Sequence, residues 1–168
     1  MIREELLKSL SDAKDMHIVN NRRINSIVKN RAFIHRPPVL DISQCKFDKW
    51  LHSDSTIEKV VGSIFYGDLL TLHNKWHNVY LNIYYTFFEN QKLTELLEKI
   101  DKSEKEKEIE KLTEKMSKIK FKLTTLDEEK IKALLNDLGK ISSQIKSIIE
   151  SCERKINATS SSLFDKAK

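Results

Sequence analysis

Residues 68–90 read DLLTLHNKWHNVYLNIYYTFFEN. Apolar and aromatic side chains recur at Leu69/Leu70, Trp76, Tyr80, Ile83/Tyr84 and Phe87. Steps of three and four place them on one face of a helix. His73 and His77 fall on that same face, four residues apart and one above the other. A histidine aimed into an apolar interior needs a partner, because a buried polar group without one is costly. The stretch therefore predicts a core helix and asks what the two imidazoles meet.

The same rhythm appears at the start of the chain. Residues 2–30 read as one helix, with Leu6, Leu10, Ala13, His17, Asn20, Ile24 and Ile27 on a single seam. His17 and Asn20 are its polar interruptions. The region between the two long helices is broken up. Pro37 and Pro38 disfavour helix at Arg36. Asp41 is placed to cap a short helix, ISQCKFDKWL, containing Cys45, Phe47, Trp50 and Leu51. Ser55 with Glu58 has the form of a capping box. The following helix carries Ile57, Val60, Val61, Ile64 and Phe65, and a break is expected at or near Gly67. Two long and two short helices, each with one apolar stripe, predict an all-α four-helix bundle over residues 1–90.

Aromatic residues nearly vanish beyond that point. Ile109, Leu112, Met116, Ile119 and Leu123 keep a heptad rhythm. Thr125 with Glu128 has the form of a second capping box. Ile131, Leu134/Leu135, Leu138, Ile141, Ile145, Ile148, Cys152 and Ile156 form another seam. Residues 91–157 read as a long helical hairpin or coiled coil, either folded on the bundle or forming a dimer, and 158–168 as a flexible tail.

Composition narrows the function classes. The 168 residues carry a net charge of +5, but the lysines are mostly interleaved with glutamates, which marks solvated helix faces rather than a nucleic-acid surface. NNRRINSIVKNR is more uniformly basic but lies in no nucleic-acid motif. No apolar run is long enough for membrane insertion, and MIREELLKSL lacks a signal-peptide core. A cytoplasmic location with both cysteines, Cys45 and Cys152, reduced is the expectation.

His17, Cys45, His73 and His77 come from three separate segments, and helix phase turns the three histidines inward. Zinc takes four nitrogen or sulfur ligands in a tetrahedron. Two histidines on one helix at this spacing can share a metal, with a facing helix giving a third nitrogen and a short crossing helix a thiolate. The competing reading is that each histidine is a hydrogen-bonded core residue and Cys45 a small buried hydrophobe.

The set His17 … Cys45-Lys-Phe-Asp-Lys-Trp50-Leu51 … His73-x-x-x-His77 resembles the chemoreceptor zinc-binding (CZB) domain family. That family has a histidine in its first long helix, a C-x-[FL]-G-x-W-[LY] segment and an H-x-x-x-H pair on its last. The intervals of 28, 28 and 4 residues here are close to the family's, over roughly residues 5–90. The resemblance implies Zn2+ held by His17, Cys45, His73 and His77. Asp48 departs from the pattern by standing where the family has Gly. Should that position need a left-handed backbone, Asp tolerates it better than most residues. His35 and His52 match no ligand position and read as loop or surface residues.

A filled tetrahedron leaves no open position for catalytic water. Asn74 also stands where zinc proteases carry their glutamate base, so no enzyme activity is expected. Two readings stay open. In one, the zinc serves the fold alone, in a structural scaffold. In the other, the centre is a sensor with Cys45 as the redox-sensitive ligand, since a zinc-held thiolate reacts with oxidants. The resemblance favours the sensor. It implies a regulatory protein of bacterial signal transduction, a homodimer responding to zinc or hypochlorous acid and working with a chemotaxis protein or diguanylate cyclase. No GGDEF sequence or chemoreceptor signalling tip is present in the chain.

Overall fold

The computed structural model describes residues 3–29, 40–53, 55–88, 95–96, 99–100, 102–103, 105–117, 125–161 and 164. Among them the chain is all-α. Six α-helices are present: α1 (Arg3–Val28), α2 (Lys46–Ser53), α3 (Thr56–Val61), α4 (Ser63–Phe88), α5 (Glu106–Ser117) and α6 (Thr125–Ala158). A 3-10 turn at Ile42–Gln44 precedes α2. Among the described residues, no helix is long and apolar enough to cross a membrane.

α1 has no internal Gly or Pro, and Glu4 and Glu5 in its first turn complement the helix dipole. All seven seam residues, including His17 and Asn20, are buried. In α4 the buried face is Leu69, His73, Trp76, His77, Tyr80, Ile83, Tyr84 and Phe87, again the expected one. α6 lies between α1 and α4 and packs on both. It adds Ile131, Leu138, Ile145, Ile149, Cys152 and Ile156 to the same core. Full burial of each such aliphatic side chain is worth about 1.5–3 kcal/mol. Of the two arrangements left open for this seam, packing on the helices of residues 1–90 is the one seen. α1 and α4 meet across the core through the ring of His17, whose centroid is 4.6 Å from that of Trp76. α2 and α3 pack against α4, and α3 also reaches α6.

Several local expectations are corrected. The break before α4 is at Gly62, not Gly67. Gly62 caps α3 at φ 87°, a left-handed conformation that favours glycine, and Gly67 continues inside α4. Ser55 forms no capping bond. Its backbone is αR (φ −72°, ψ 0°), whereas the side-chain cap needs an extended residue. ISQCKFDKWL is not one helix: Asp41 caps the 3-10 turn, accepting from Ser43 N–H at 2.8 Å, and the chain is extended at Cys45 before α2 begins.

α5 carries Ile109 and Leu112 half-buried. Leu93, Leu97, Ile119, Phe121, Leu123 and His35 lie outside the described residues. In the stretch expected to be a tail, Phe164 is buried and the Arg3 guanidinium stands 5.1 Å from its ring centre.

Candidate metal centre

The inward phases of α1 and α4 bring three imidazoles together. One ring nitrogen from each of His17, His73 and His77 lies within 4.8 Å of the others. All three residues are buried, with exposures of 2%, 0% and 1%. Phe47 and Trp76 wall the cluster, their ring centres 5.2 Å from His73 and His77 respectively.

Two of the histidines are fixed by the backbone. His17 Nδ1–H donates to the Ala13 carbonyl at 2.6 Å, one turn back in α1. His77 Nδ1–H donates to the Leu40 carbonyl at 2.6 Å, just before the 3-10 turn. Neutral imidazole has one donor and one acceptor nitrogen, so both present an Nε2 lone pair to the interior. The His17 lone pair has no hydrogen-bond partner among the described residues.

His73 meets a conflict that no neutral tautomer resolves. Its Nε2 lies 3.1 Å from His77 Nε2, which is already a lone pair. Its Nδ1 lies 3.4 Å from Asp48 Oδ1, a carboxylate oxygen. A proton on Nε2 suits His77 and leaves a buried Nδ1 lone pair facing the carboxylate. A proton on Nδ1 suits Asp48 and sets two Nε2 lone pairs against each other. Protonating both nitrogens is opposed by burial, which drives His73 down to about 2, reinforced by the neighbouring His17 and His77. Burial likewise lowers His17 to about 4 and lowers His77. A cation among the three Nε2 atoms satisfies every group at once. Each Nδ1–H then faces an oxygen, the usual surroundings of a metal-bound histidine.

Cys45 lies beside this group rather than within the three-histidine set. Its Sγ is 3.5 Å from His73 Nε2, and the residue is buried at 7% exposure. Tetrahedral geometry with ordinary zinc bond lengths gives separations of about 3.3 Å between two nitrogens and about 3.6 Å between nitrogen and sulfur. The His73–His77 and His73–Cys45 distances fall near those values. The break in ISQCKFDKWL also puts Cys45 at the N-cap position of α2. Burial pushes the thiol pKa up, while hydrogen bonds from the Asp48 and Phe47 backbone pull it down. A neighbouring cation favours the thiolate further.

Asp48 is the site residue that sequence reasoning missed. It lies inside α2, so the left-handed backbone considered for it does not occur. The available signal was its spacing: three residues after Cys45 in a short helix, it stays on the side facing the cluster. His52 lies on the exposed side of α2 and Cys152 in the core with α6, neither with the histidines. Three histidines able to hold a metal ion are thus in place. Comparison with protein-family models, curated proteins and solved structures finds no match for this chain.

Proposed function

We propose that this chain is a zinc-binding regulatory protein of the bacterial signalling kind, with His17, Cys45, His73 and His77 as ligands. The observation that carries the zinc is the tautomer conflict at His73, which a cation removes. The fourth ligand is assigned to Cys45 from its distance to His73 Nε2 and the thiolate preference of zinc. The fold reading that accompanies it is a four-helix bundle, with α1, α4 and α6 on three sides and α2 with α3 on the fourth. With four ligands in place the centre is not hydrolytic.

The sensor role rests on the placement of Cys45. The histidines sit on two 26-residue helices, whereas Cys45 sits at the junction of a 3-10 turn and an 8-residue helix. Such short elements open locally at low free-energy cost. Hypochlorous acid oxidises a thiolate to the sulfenic acid and is itself reduced to chloride. A ligand changed in this way loosens its hold on the metal and frees the 41–52 segment. A homodimer and a chemotaxis or cyclase partner remain part of the proposal on the strength of the CZB resemblance alone, because the α6 seam is already covered within the chain. A structural role for the zinc is the second reading, favoured by the near-complete burial of Cys45.

Elemental analysis of purified protein tests the metal: about one zinc per chain is expected, falling sharply in a Cys45→Ser/His77→Ala variant. Zinc far below one equivalent defeats the proposal. Mass spectrometry after mild hypochlorous acid then separates the two roles. Modification of Cys45 before Cys152, with altered Trp50 fluorescence and unchanged helical circular dichroism, supports the sensor. Cys152 reacting first, or loss of the whole fold, leaves the structural role.

A further inference from the structure

We infer that Asp48 is a positioning residue for the metal centre, holding His73 in the tautomer that offers Nε2 to the ion. The inference rests on the metal reading above and goes beyond it, to a residue that touches no metal.

Three observations lead to it. His17 and His77 each have Nδ1 tied to a backbone carbonyl, which fixes their tautomer without any side chain. His73 has no such tie: its Nδ1 is buried and makes no hydrogen bond, and the Asp48 carboxylate stands 3.4 Å from it. Asp48 is also well placed to act as a lever. Its side chain is 20% exposed at the edge of α2, and its other carboxylate oxygen lies 3.6 Å from Nδ1 of the exposed His52. One carboxylate thus joins a buried histidine to the surface.

The physical consequence follows from charge and orientation. A carboxylate accepting from Nδ1–H pins the ring, keeps the Nε2 lone pair free and makes that nitrogen a stronger donor. With three neutral histidines, one thiolate and Zn2+, the centre carries +1; the Asp48 charge brings the local sum to zero. Because Asp48 and Cys45 leave the same short stretch, movement of α2 shifts both together. The 41–52 segment therefore controls two of the four ligands, one directly and one through its partner.

Zinc affinity measured by chelator competition on the intact chain tests this. Asp48→Ala is expected to weaken binding about 10–100-fold, the usual effect of removing such a partner. Asp48→Asn keeps an acceptor without the charge and is expected to fall between the two, with far-UV circular dichroism unchanged in both. Long-range 1H–15N spectra of the zinc-loaded protein should show His73 protonated at Nδ1 in the parent and in Asp48→Asn, and a mobile or mixed ring in Asp48→Ala. A His52→Ala control should stay within about threefold of the parent, since His52 Nδ1 meets only the Asp48 backbone carbonyl, at 2.9 Å, and the outer carboxylate oxygen, not the oxygen that faces His73. Parent-like affinity and an unaltered His73 tautomer in Asp48→Ala overturn the inference while leaving the metal site standing. A parent chain that binds no zinc overturns the metal reading itself, and this inference with it.

Discussion

The inward face of α6 and those of α1 and α4 obey the same periodicity and are built from different chemistry. α6 turns Ile131, Leu138, Ile145, Ile149, Cys152 and Ile156 inward. α1 and α4 interrupt their stripes with His17, Asn20, His73 and His77, which with Thr56 make up the buried polar residues among those described. An apolar face needs only to be covered. A face with three imidazoles must also satisfy them, and the protein groups present leave His17 Nε2 and His73 Nδ1 without hydrogen bonds. Stability and function are therefore expected to separate along the two faces: α6 holds the helices together, and α1 with α4 hold the three histidines.

The sharpest way to break that division is to damage α6 and read the metal. Leu138 is fully buried, so Leu138→Ala should lower unfolding stability by about 2–5 kcal/mol in chemical denaturation. Zinc per folded chain should not change. Loss of zinc from a variant that still shows native circular dichroism would mean that α6 shapes the centre as directly as α4 does.

Acid titration of metal-free protein examines the other face. His17 titrates near 6.5 when unfolded and is lowered to about 4 in the fold, mainly by burial and partly opposed by its bond to Ala13. Between those values the unfolded chain takes up a proton that the folded chain refuses. Stability therefore rises with pH in this window, and what is present above pH 6.5 is lost as the pH falls toward 4. For His17 alone the loss is on the order of 3 kcal/mol. His73, lowered to about 2, acts in the same direction. Denaturation midpoints from pH 7 to 4 should fall accordingly, and His17→Leu should flatten the profile. A parent profile with no such fall would show that the imidazoles are hydrated rather than held in the core.

The helices α1 and α4 and their buried faces were legible because period 3.6 is a property of one chain segment and needs no knowledge of its neighbours. The α1 seam matched the structure at all seven positions for that reason. In residues 91–157, by contrast, the first of the two long helices expected is described only over Glu106–Ser117, and α6 buries Ile149 where Ile148 was expected. The junctions were less legible. Gly62 and Gly67 look equivalent in sequence, yet only Gly62 adopts positive φ; an isolated glycine inside a helix costs about 1 kcal/mol, which packing of α4 offsets. Ser55 has a capping-box sequence, but the short turn from α2 into α3 sets its backbone and denies it the cap. The docking of α6 depends on which apolar face covers which, and an apolar seam does not encode its partner. At the centre, the histidines could be read from phase. Asp48 was only partly legible: its spacing from Cys45 sets its side of α2, but its approach to His73 depends on how α2 packs on α4.

Ser142 gives the smallest expected effect and the finest probe of how the two faces communicate. Its Oγ–H donates to the Leu138 carbonyl at 2.7 Å within α6. The same oxygen accepts from Trp76 Nε1 of α4 at 3.0 Å and from Asn21 Nδ2 of α1 at 3.2 Å. One hydroxyl thus joins all three long helices, and Trp76 stands between it and the His17 ring. Ser142→Ala removes no bulk, but it leaves the Trp76 N–H, in a residue with 0% exposure, without its acceptor. The expected loss is about 1–3 kcal/mol. The informative readout is the Trp76 emission in a Trp50→Phe background. If the indole couples the centre to α6, zinc addition should shift that emission in the parent and shift it less in Ser142→Ala, at equal zinc content. An equal response in both would confine the influence of the centre to α1, α2 and α4, and leave α6 as packing alone.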